Sequence, residues 1–261
     1  MRANAKRIEE SLRVLEELAR LSDVCSELNV AAAERLRYAV YDLEKRLAGR
    51  LVRVRRAAGI EGLYVVVDRQ AAGDRSLVTL AVAAIEGGAT AIQLRDKIGE
   101  RGDVHRSALA LNAVCRERGV AFIMNDYCDI AAAVGATGLH IGQHDMPLDA
   151  VRRILSLDAI VGVSCESADD VRRALVEGAD YIAVGAVYPT SQKADHVLTG
   201  LAAVAEARAL VGAVPLVAIG GINQENVAAV IGAGADAAAV IGAVLLQPDV
   251  RQAAANMTEA I

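Results

Sequence analysis

One local pattern, written four times, constrains the fold of this chain more than anything else in it. The phrases EGGATAIQL (86–94), AVGATGLHI (133–141), VEGADYIAV (176–184) and GAGADAAAV (232–240) share one layout: glycine, a tight turn, then a short apolar run. A helix that ends at glycine in a left-handed cap and passes directly into a strand is the αβ joint of a parallel sheet. The strand candidates around these joints are Leu63–Val67, Ala91–Leu94, Ala121–Met124, Gly138–Ile141, Ile160–Val163, Tyr181–Val184, Leu216–Ile219 and Ala237–Val240. Between them lie helix candidates near 76–87, 103–118, 127–134, 148–155, 167–177, 200–211, 224–232 and 249–260. The strands are near-continuous apolar runs, as expected when both faces of a parallel sheet are buried. Eight β/α units in about 200 residues predict a compact (β/α)8 TIM barrel. An open doubly wound sheet is the competing architecture, but the first strand runs into VVVDRQAAG rather than a GxGxxG phosphate turn.

Residues 1–60 have a different period. Ile8, Leu12, Leu15 and Leu18 fall on one helical face, and Leu36, Val40, Leu43 and Leu47 on another, with a break over Ser22–Asn29. The spacing predicts an α-helical hairpin over 1–60 before a barrel domain over 61–261, with Val52–Gly62 as the join. Two stripes bury little against each other. They are therefore expected to be covered by the following domain or by another subunit of a homo-oligomer. Residues 1–60 hold 13 Lys+Arg against 9 Asp+Glu, and the remainder 15 against 24. The bases alternate with acids, which describes a solvated helical face and argues against nucleic-acid binding.

Hydrophobic residues make up 54% and charged residues 23% of the chain, a globular balance. No apolar run reaches the roughly 18–20 residues of a membrane span. The acids within the N-terminal apolar pattern are unlike a signal peptide. Cys25, Cys115, Cys128 and Cys165 form no CxxC pair and read as free thiols of a cytoplasmic protein.

In a barrel of this kind the working residues collect at the C-terminal ends of the strands. Strand 2 closes Gln93-Leu94-Arg95-Asp96-Lys97. Alternation sends Gln93, Arg95 and Lys97 toward the barrel mouth, where an amide and two cations can grip a polyphosphate. A surface strand end with ordinary salt bridges is the competing reading. Strand 3 closes with Asn125 and Asp126, and strand 4 runs His140-Ile141-Gly142-Gln143-His144-Asp145. Asp126 and Asp145, from neighbouring strand ends, suit one Mg2+, which takes one or two carboxylates plus water and phosphate oxygens. Zinc held by His140 and His144 is the weaker reading, because His140 lies within its strand and reads as a packed or hydrogen-bonded barrel residue. Ser164 closes strand 5 as a hydroxyl donor or as a cap of the next helix. After strand 6 comes the longest polar loop, with Thr190, Ser191, Gln192 and Lys193, a natural lid. Gly221 follows strand 7, and Ile241 and Gly242 follow strand 8. There the backbone N–H groups can cradle a monophosphate.

QLRDK (93–97), ND (125–126), HIGQHD (140–145), GVS (162–164), YPTSQK (188–193), AIGGI (218–222) and VIGA (240–243), in this order and spacing, resemble the thiamine-phosphate synthase family over about residues 62–258. The resemblance implies a transferase of thiamine biosynthesis. Its substrates would be hydroxymethylpyrimidine diphosphate and thiazole phosphate, and its products thiamine monophosphate and pyrophosphate. By position, Gln93, Arg95, Lys97 and Asn125 would hold the pyrimidine diphosphate, and Asp126 and Asp145 would bind Mg2+. Ser164 and Lys193 would meet the diphosphate or the released pyrophosphate. Thr190, Ser191 and Gln192 would contact the thiazole, and Gly221, Ile241 and Gly242 its phosphate. Arg95, Lys97, Ser164 and Lys193 would carry the catalysis. The sequence departs from the family at Gln192, where a Thr is usual, and at Gly242, where a Ser is usual, both on the thiazole side. The segment RANAKRIEESLRVLEELAR resembles a helical leader that some synthases carry. Two other readings remain at this level: a thiazole tautomerase resembling TenI, which lacks the metal chemistry, and a non-catalytic phosphate-binding scaffold.

Overall fold

The structure is a computed structural model and describes residues 2–20, 29–190 and 198–261, with side chains from Asn4 onward. Eight strands alternate with helices: β1 (Gly62–Asp68), β2 (Ala89–Arg95), β3 (Ala121–Asn125), β4 (Gly138–Ile141), β5 (Ile160–Cys165), β6 (Tyr181–Val184), β7 (Leu216–Ile219) and β8 (Ala237–Val240). Each pairs in parallel with the next, and β8 returns to β1, closing the barrel in sequence order. The helices are α1 (Arg2–Ala19), α2 (Val30–Ala57), α3 (Arg69–Ala72), α4 (Leu77–Glu86), α5 (Arg101–Arg118), α6 (Cys128–Val134), α7 (Leu148–Ile154), α8 (Ala168–Glu177), α9 (Gly200–Val211), α10 (Val227–Gly232), α11 (Gly242–Leu245) and α12 (Val250–Ala260).

Two-residue alternation along each strand sorts the core into two layers. Leu63, Val65 and Val67 of β1, Ile92 and Leu94 of β2 and Val161 and Val163 of β5 point outward into the larger cluster, which packs against the helices. Tyr64, Val66, Ala91, Ile123, Ile160, Tyr181, Val217, Ala237 and Ala239 point inward and fill the barrel. Ala57 and Ile60, ahead of β1, belong to this inner cluster. The join expected over Val52–Gly62 is therefore helical through Ala57. Arg53 Nε donates to Asp180 Oδ1 at 3.1 Å, and the same carboxylate receives Arg152 and the Val161 amide.

The repeated joint works in two ways. Gly135 and Gly178 are left-handed caps of α6 and α8, whereas in the EGGA and GAGA copies the second glycine, Gly88 or Gly234, takes the positive φ.

The described chain divides into two compact units, Met1–Val52 and Arg53–Ile261. In the first, α1 and α2 are joined by Glu16, which is buried and receives Arg37 at 2.9 Å and Arg20 at 2.5 Å. Within this unit Leu12 and Val40 are partly buried, and the other positions of the apolar stripes are exposed. Ile8 is 50% exposed and Leu36 57%, and Leu15, Leu18, Leu43 and Leu47 are exposed too. The seam instead follows Ala5, Glu9, Leu12, Glu16 and Ala19, the less exposed positions of α1. At Glu9, Glu16 and Ala19 this second stripe lies one residue, about 100°, round the helix from Ile8, Leu15 and Leu18, and the two stripes share Leu12. The Glu16–Arg37 ion pair, with Leu12 and small side chains along the same stripe, brings the two helices together. The Ser22–Asn29 break lies, except for Asn29, outside the described residues, as does Cys25.

Candidate active site

Every strand delivers its last inward side chains to one end of the barrel, and there a cavity of about 560 Å³ opens. Gln93, Arg95, Lys97, Asn125, Asp126, Asp145, Ser164, Thr190, Gly221, Ile241 and Gly242 all line it. Ser191, Gln192 and Lys193 lie outside the described residues.

The β2 end is built by alternation. Leu94 is fully buried in the outer layer, so Gln93 and Arg95 face inward. Arg95 is held by Asp68 at the end of β1, whose Oδ2 accepts from the guanidinium at 2.5 Å. The other oxygen of Asp68 caps α3 by accepting the Ala71 amide at 2.9 Å. Asp96 turns away, pairs with Arg69 at 3.2 Å and ties down the following turn through the Gly99 amide. All three charged residues of this strand end are ion-paired, as the salt-bridge reading expects, and Arg95 and Lys97 also reach the cavity.

Asp126 sits at φ 61°, a left-handed conformation that Asp and Asn tolerate better than most residues. Its amide donates to the His140 carbonyl across β3 and β4 at 2.9 Å. The Lys97 ammonium donates to its carboxylate. Burial raises the Asp126 pKa above the usual carboxylate range, and the neighbouring Asp145 carboxyl adds to this, while Lys97 opposes it. Asp145 Oδ2 accepts the Gly142 amide at 2.7 Å, which fixes the HIGQHD turn. Two neighbouring carboxyls beside a single lysine, one of them made costly to ionise by burial, fit a divalent cation. Among the described residues no three His, Cys, Asp or Glu side chains gather as a metal cage. That donor set suits Mg2+, which completes its shell with water and phosphate oxygens.

His140 lies buried inside the barrel. Its Nε2 is 2.8 Å from Ser164 Oγ and its Nδ1 3.0 Å from the Tyr181 hydroxyl. Ser164 is not the cap of α8. That role belongs to Ser167, which forms a capping box with Asp170. Cys115, Cys128 and Cys165 are buried and free, and burial pushes the thiols of Cys115 and Cys165 up to about 12, so they are inert.

On the opposite rim, Gly221 (φ 63°) lies so close to the β6 loop that a Cβ there would stand 2.5 Å from the Pro189 carbonyl. Gly242 opens α11, leaving first-turn amides beside the cavity.

Asp68, Tyr64 and Tyr181 also belong to the site, beyond the residues named from the sequence. Asp68 carries the same signal as the others, a charged residue closing a strand. Tyr64 and Tyr181 are aromatic residues at inward positions of otherwise aliphatic strands.

A model of the thiamine monophosphate synthase family matches residues 63–244. The chain belongs to that family. A second model, the ThiD2 family, matches residues 1–46. The thiamine-phosphate synthase of Moorella thermoacetica is 44% identical over 203 residues, 76% of this chain and 95% of that protein. The synthase of Synechocystis sp. is 38% identical over 257 residues, 98% of this chain and 72% of that protein, so the likeness extends through the hairpin. Among solved structures, thiamine phosphate pyrophosphorylase from Pyrococcus furiosus matches with a TM-score of 0.71 and 35% identity, over 78% of this chain and 96% of that one. Family membership agrees with the strand-end motifs, whose order the barrel converts into one ring of residues. No described helix is long and apolar enough to cross a membrane.

Proposed function

We propose that this barrel joins hydroxymethylpyrimidine diphosphate to thiazole phosphate, releasing pyrophosphate and forming thiamine monophosphate. The observation that carries the reading is the meeting of Gln93, Arg95 and Lys97 with Asp126 and Asp145 at one side of a single cavity. The opposite side offers backbone amides at Gly221 and Gly242. One side is suited to a diphosphate with its cation, the other to a monophosphate. Both substrates are small molecules, and the chemistry calls for no nucleic acid or membrane.

Asp126 and Asp145 would hold Mg2+, which when bound neutralises charge on the diphosphate. Arg95, oriented by Asp68, provides a planar fork for phosphate oxygens. Lys97 lies against Asp126 and can meet the same anion. As the bond from the pyrimidine methylene carbon to the diphosphate oxygen breaks, the electron pair leaves with pyrophosphate and the methylene becomes a delocalised cation. Charge grows on the leaving group, and Arg95, Lys97, Ser164 and Lys193 act by stabilising it in place. The thiazole nitrogen then attacks the methylene carbon, and that step needs placement rather than a base. Asn125 and Gln93 position the pyrimidine side. Thr190, Ser191 and Gln192 position the thiazole, and Gly221, Ile241 and Gly242 its phosphate. The division into a hairpin over 1–60 and a catalytic barrel over 61–261, the cytoplasmic location and assembly as a homo-oligomer complete the reading.

Incubation with both substrates, followed by mass detection of thiamine monophosphate, tests it. Product and pyrophosphate should appear in equal amounts and only with a divalent cation. Binding of the diphosphate without product would leave a scaffold. Turnover of a thiazole carboxylate phosphate without metal would make the chain a tautomerase.

A further inference from the structure

The Ser164 hydroxyl ends a buried chain that starts on β2. Gln93 Nε2 donates to the Tyr64 hydroxyl at 2.8 Å, and the Tyr64 and Tyr181 hydroxyls are 3.1 Å apart. Tyr181 reaches His140 Nδ1, and His140 Nε2 reaches Ser164 Oγ. The donor inventory gives this chain a direction. An amide nitrogen can only donate, so the Tyr64 oxygen accepts from Gln93 and its own hydrogen goes to Tyr181. Tyr181 then gives its hydrogen to Nδ1. In neutral imidazole the remaining proton is on Nε2, which donates to Ser164 Oγ. In the reverse order Tyr64 would receive two hydrogens, and among the described residues its own would have no acceptor, which burial makes costly.

The register makes room for this arrangement. His140, Gly162 and Tyr181 stand in one row across β4, β5 and β6. Gly162 has no side chain, and a Cβ there would stand 1.9 Å from Tyr181 Cζ. The two rings therefore meet over it, with centroids 5.6 Å apart and planes 25° from parallel. Tyr64 and Tyr181 are fully buried, and burial raises both phenols well above their usual pKa, which keeps their hydrogens in place as donors.

We propose that Tyr64 and Tyr181 are positioning residues that hold His140 as the Nε2–H tautomer, so that Ser164, accepting from the imidazole, presents its own hydrogen to a phosphate oxygen in the cavity. The proposal rests on the reading of the cavity as a diphosphate site. It divides the work between two layers. The cations at the mouth supply charge, and the barrel interior supplies the direction of one neutral donor.

Two measurements test it. In the ¹⁵N-labelled full chain, long-range ¹H–¹⁵N spectra at neutral pH should show His140 Nδ1 without a proton and Nε2 with one. The signals are assigned by their loss in His140→Asn. A protonated Nδ1 overturns the proposal whatever happens to any variant. In calorimetry with inorganic pyrophosphate and magnesium, Ser164→Ala and Tyr181→Phe should each weaken binding about tenfold, the scale of one hydrogen bond to a charged group. The double variant should bind no worse than Ser164→Ala, because Tyr181 acts through that hydroxyl. Additive losses, about a hundredfold together, would mean that Tyr181 acts by another route. That outcome would overturn the relay while leaving Ser164 at the diphosphate. No effect of Ser164→Ala would remove Ser164 from the diphosphate, and the relay with it.

Discussion

Asp126 can be altered in two ways that separate its charge from its backbone. Asp126→Asn keeps a side chain that tolerates φ 61° and removes the carboxylate. Asp126→Ala removes both, and a left-handed conformation costs an ordinary residue about 1–2 kcal/mol. The alanine variant should therefore be less stable than the asparagine variant by about 1 kcal/mol. Against the parent chain the sign comes from the titration. Burial, with Asp145 beside it, raises the folded pKa of Asp126 above its unfolded value. Ionisation of such a group works against folding. The penalty is absent below the unfolded carboxylate pKa, grows as pH rises, and is complete above the raised folded value. Asp126→Asn should accordingly be as stable as the parent or more so at pH 7 without metal, and this advantage should vanish in acid. The Lys97 pairing is the opposing effect, and the Lys97 side chain is about half exposed, 49%, so screening limits it. Turnover should fall on the order of a hundredfold or more, because the lost ligand acts on charge that develops in the transition state. Urea unfolding at two pH values and product formation across a magnesium series are the assays. A marked loss of stability at pH 7 in Asp126→Asn would show that the Lys97 ion pair dominates. Full turnover at low magnesium would remove Asp126 from the metal.

Three further outcomes are expected. Lys193→Ala should lower kcat more than it raises the thiazole KM, since the charge it meets grows as pyrophosphate leaves; a change in that KM alone would make Lys193 a thiazole-positioning residue. Gly162→Ala should cost about 1–3 kcal/mol in urea unfolding by driving a methyl group into the Tyr181 ring, and an unperturbed midpoint would show that the ring moves freely. A chain that begins at Arg53 should keep its turnover and its barrel, whereas one that begins at Gly62 loses Ala57, Ile60 and the Arg53 partner of Asp180 and should be less stable by about 3 kcal/mol or more; equal stability of the two would show that the end of α2 adds nothing to the barrel.

Much of the barrel is written locally. Gly138–Ile141, Tyr181–Val184, Leu216–Ile219 and Ala237–Val240 are strands at the residues their apolar runs mark, because strands buried on both faces are, His140 aside, without charged or strongly polar positions to blur their ends. The short helices α3 and α11 have no such signature: four residues hold too little pattern to count. In the site, Gln93, Arg95, Asp126 and Asp145 are legible because polar residues directly after an apolar run stand out. The roles of Asp68, Tyr64 and Tyr181 depend on which strand lies beside which. Tyr64 meets Gln93 across the β1–β2 pair, and Tyr181 meets His140 over a glycine on the strand between. Such pairings follow from barrel register and cannot be read along the chain.

The hairpin shows the complementary failure, and its cause is phase rather than period. Counting leucines finds the helices and their repeat, but it assigns the seam to the most apolar stripe. Glu16, with no apolar character at all, is among the most buried residues of α1 because two guanidinium groups satisfy it. Of its two pairs, that with Arg37 crosses to α2 and that with Arg20 stays within α1, while the leucines of the stripe other than Leu12 are exposed. The end of α2 follows a third logic. Arg53 and Arg56 are charged residues in a helix, yet they bond Asp180 and Asp158, and Ala57 and Ile60 enter the barrel's inner cluster ahead of the first strand. These contacts lie at the N-terminal ends of the strands, while Arg95, Asp126, Asp145 and Ser164 lie at the C-terminal ends. A barrel divided in this way lets the two ends be changed separately. Substitutions at the base should move the unfolding midpoint with turnover intact, whereas those at the mouth should lower turnover whichever way they move the midpoint.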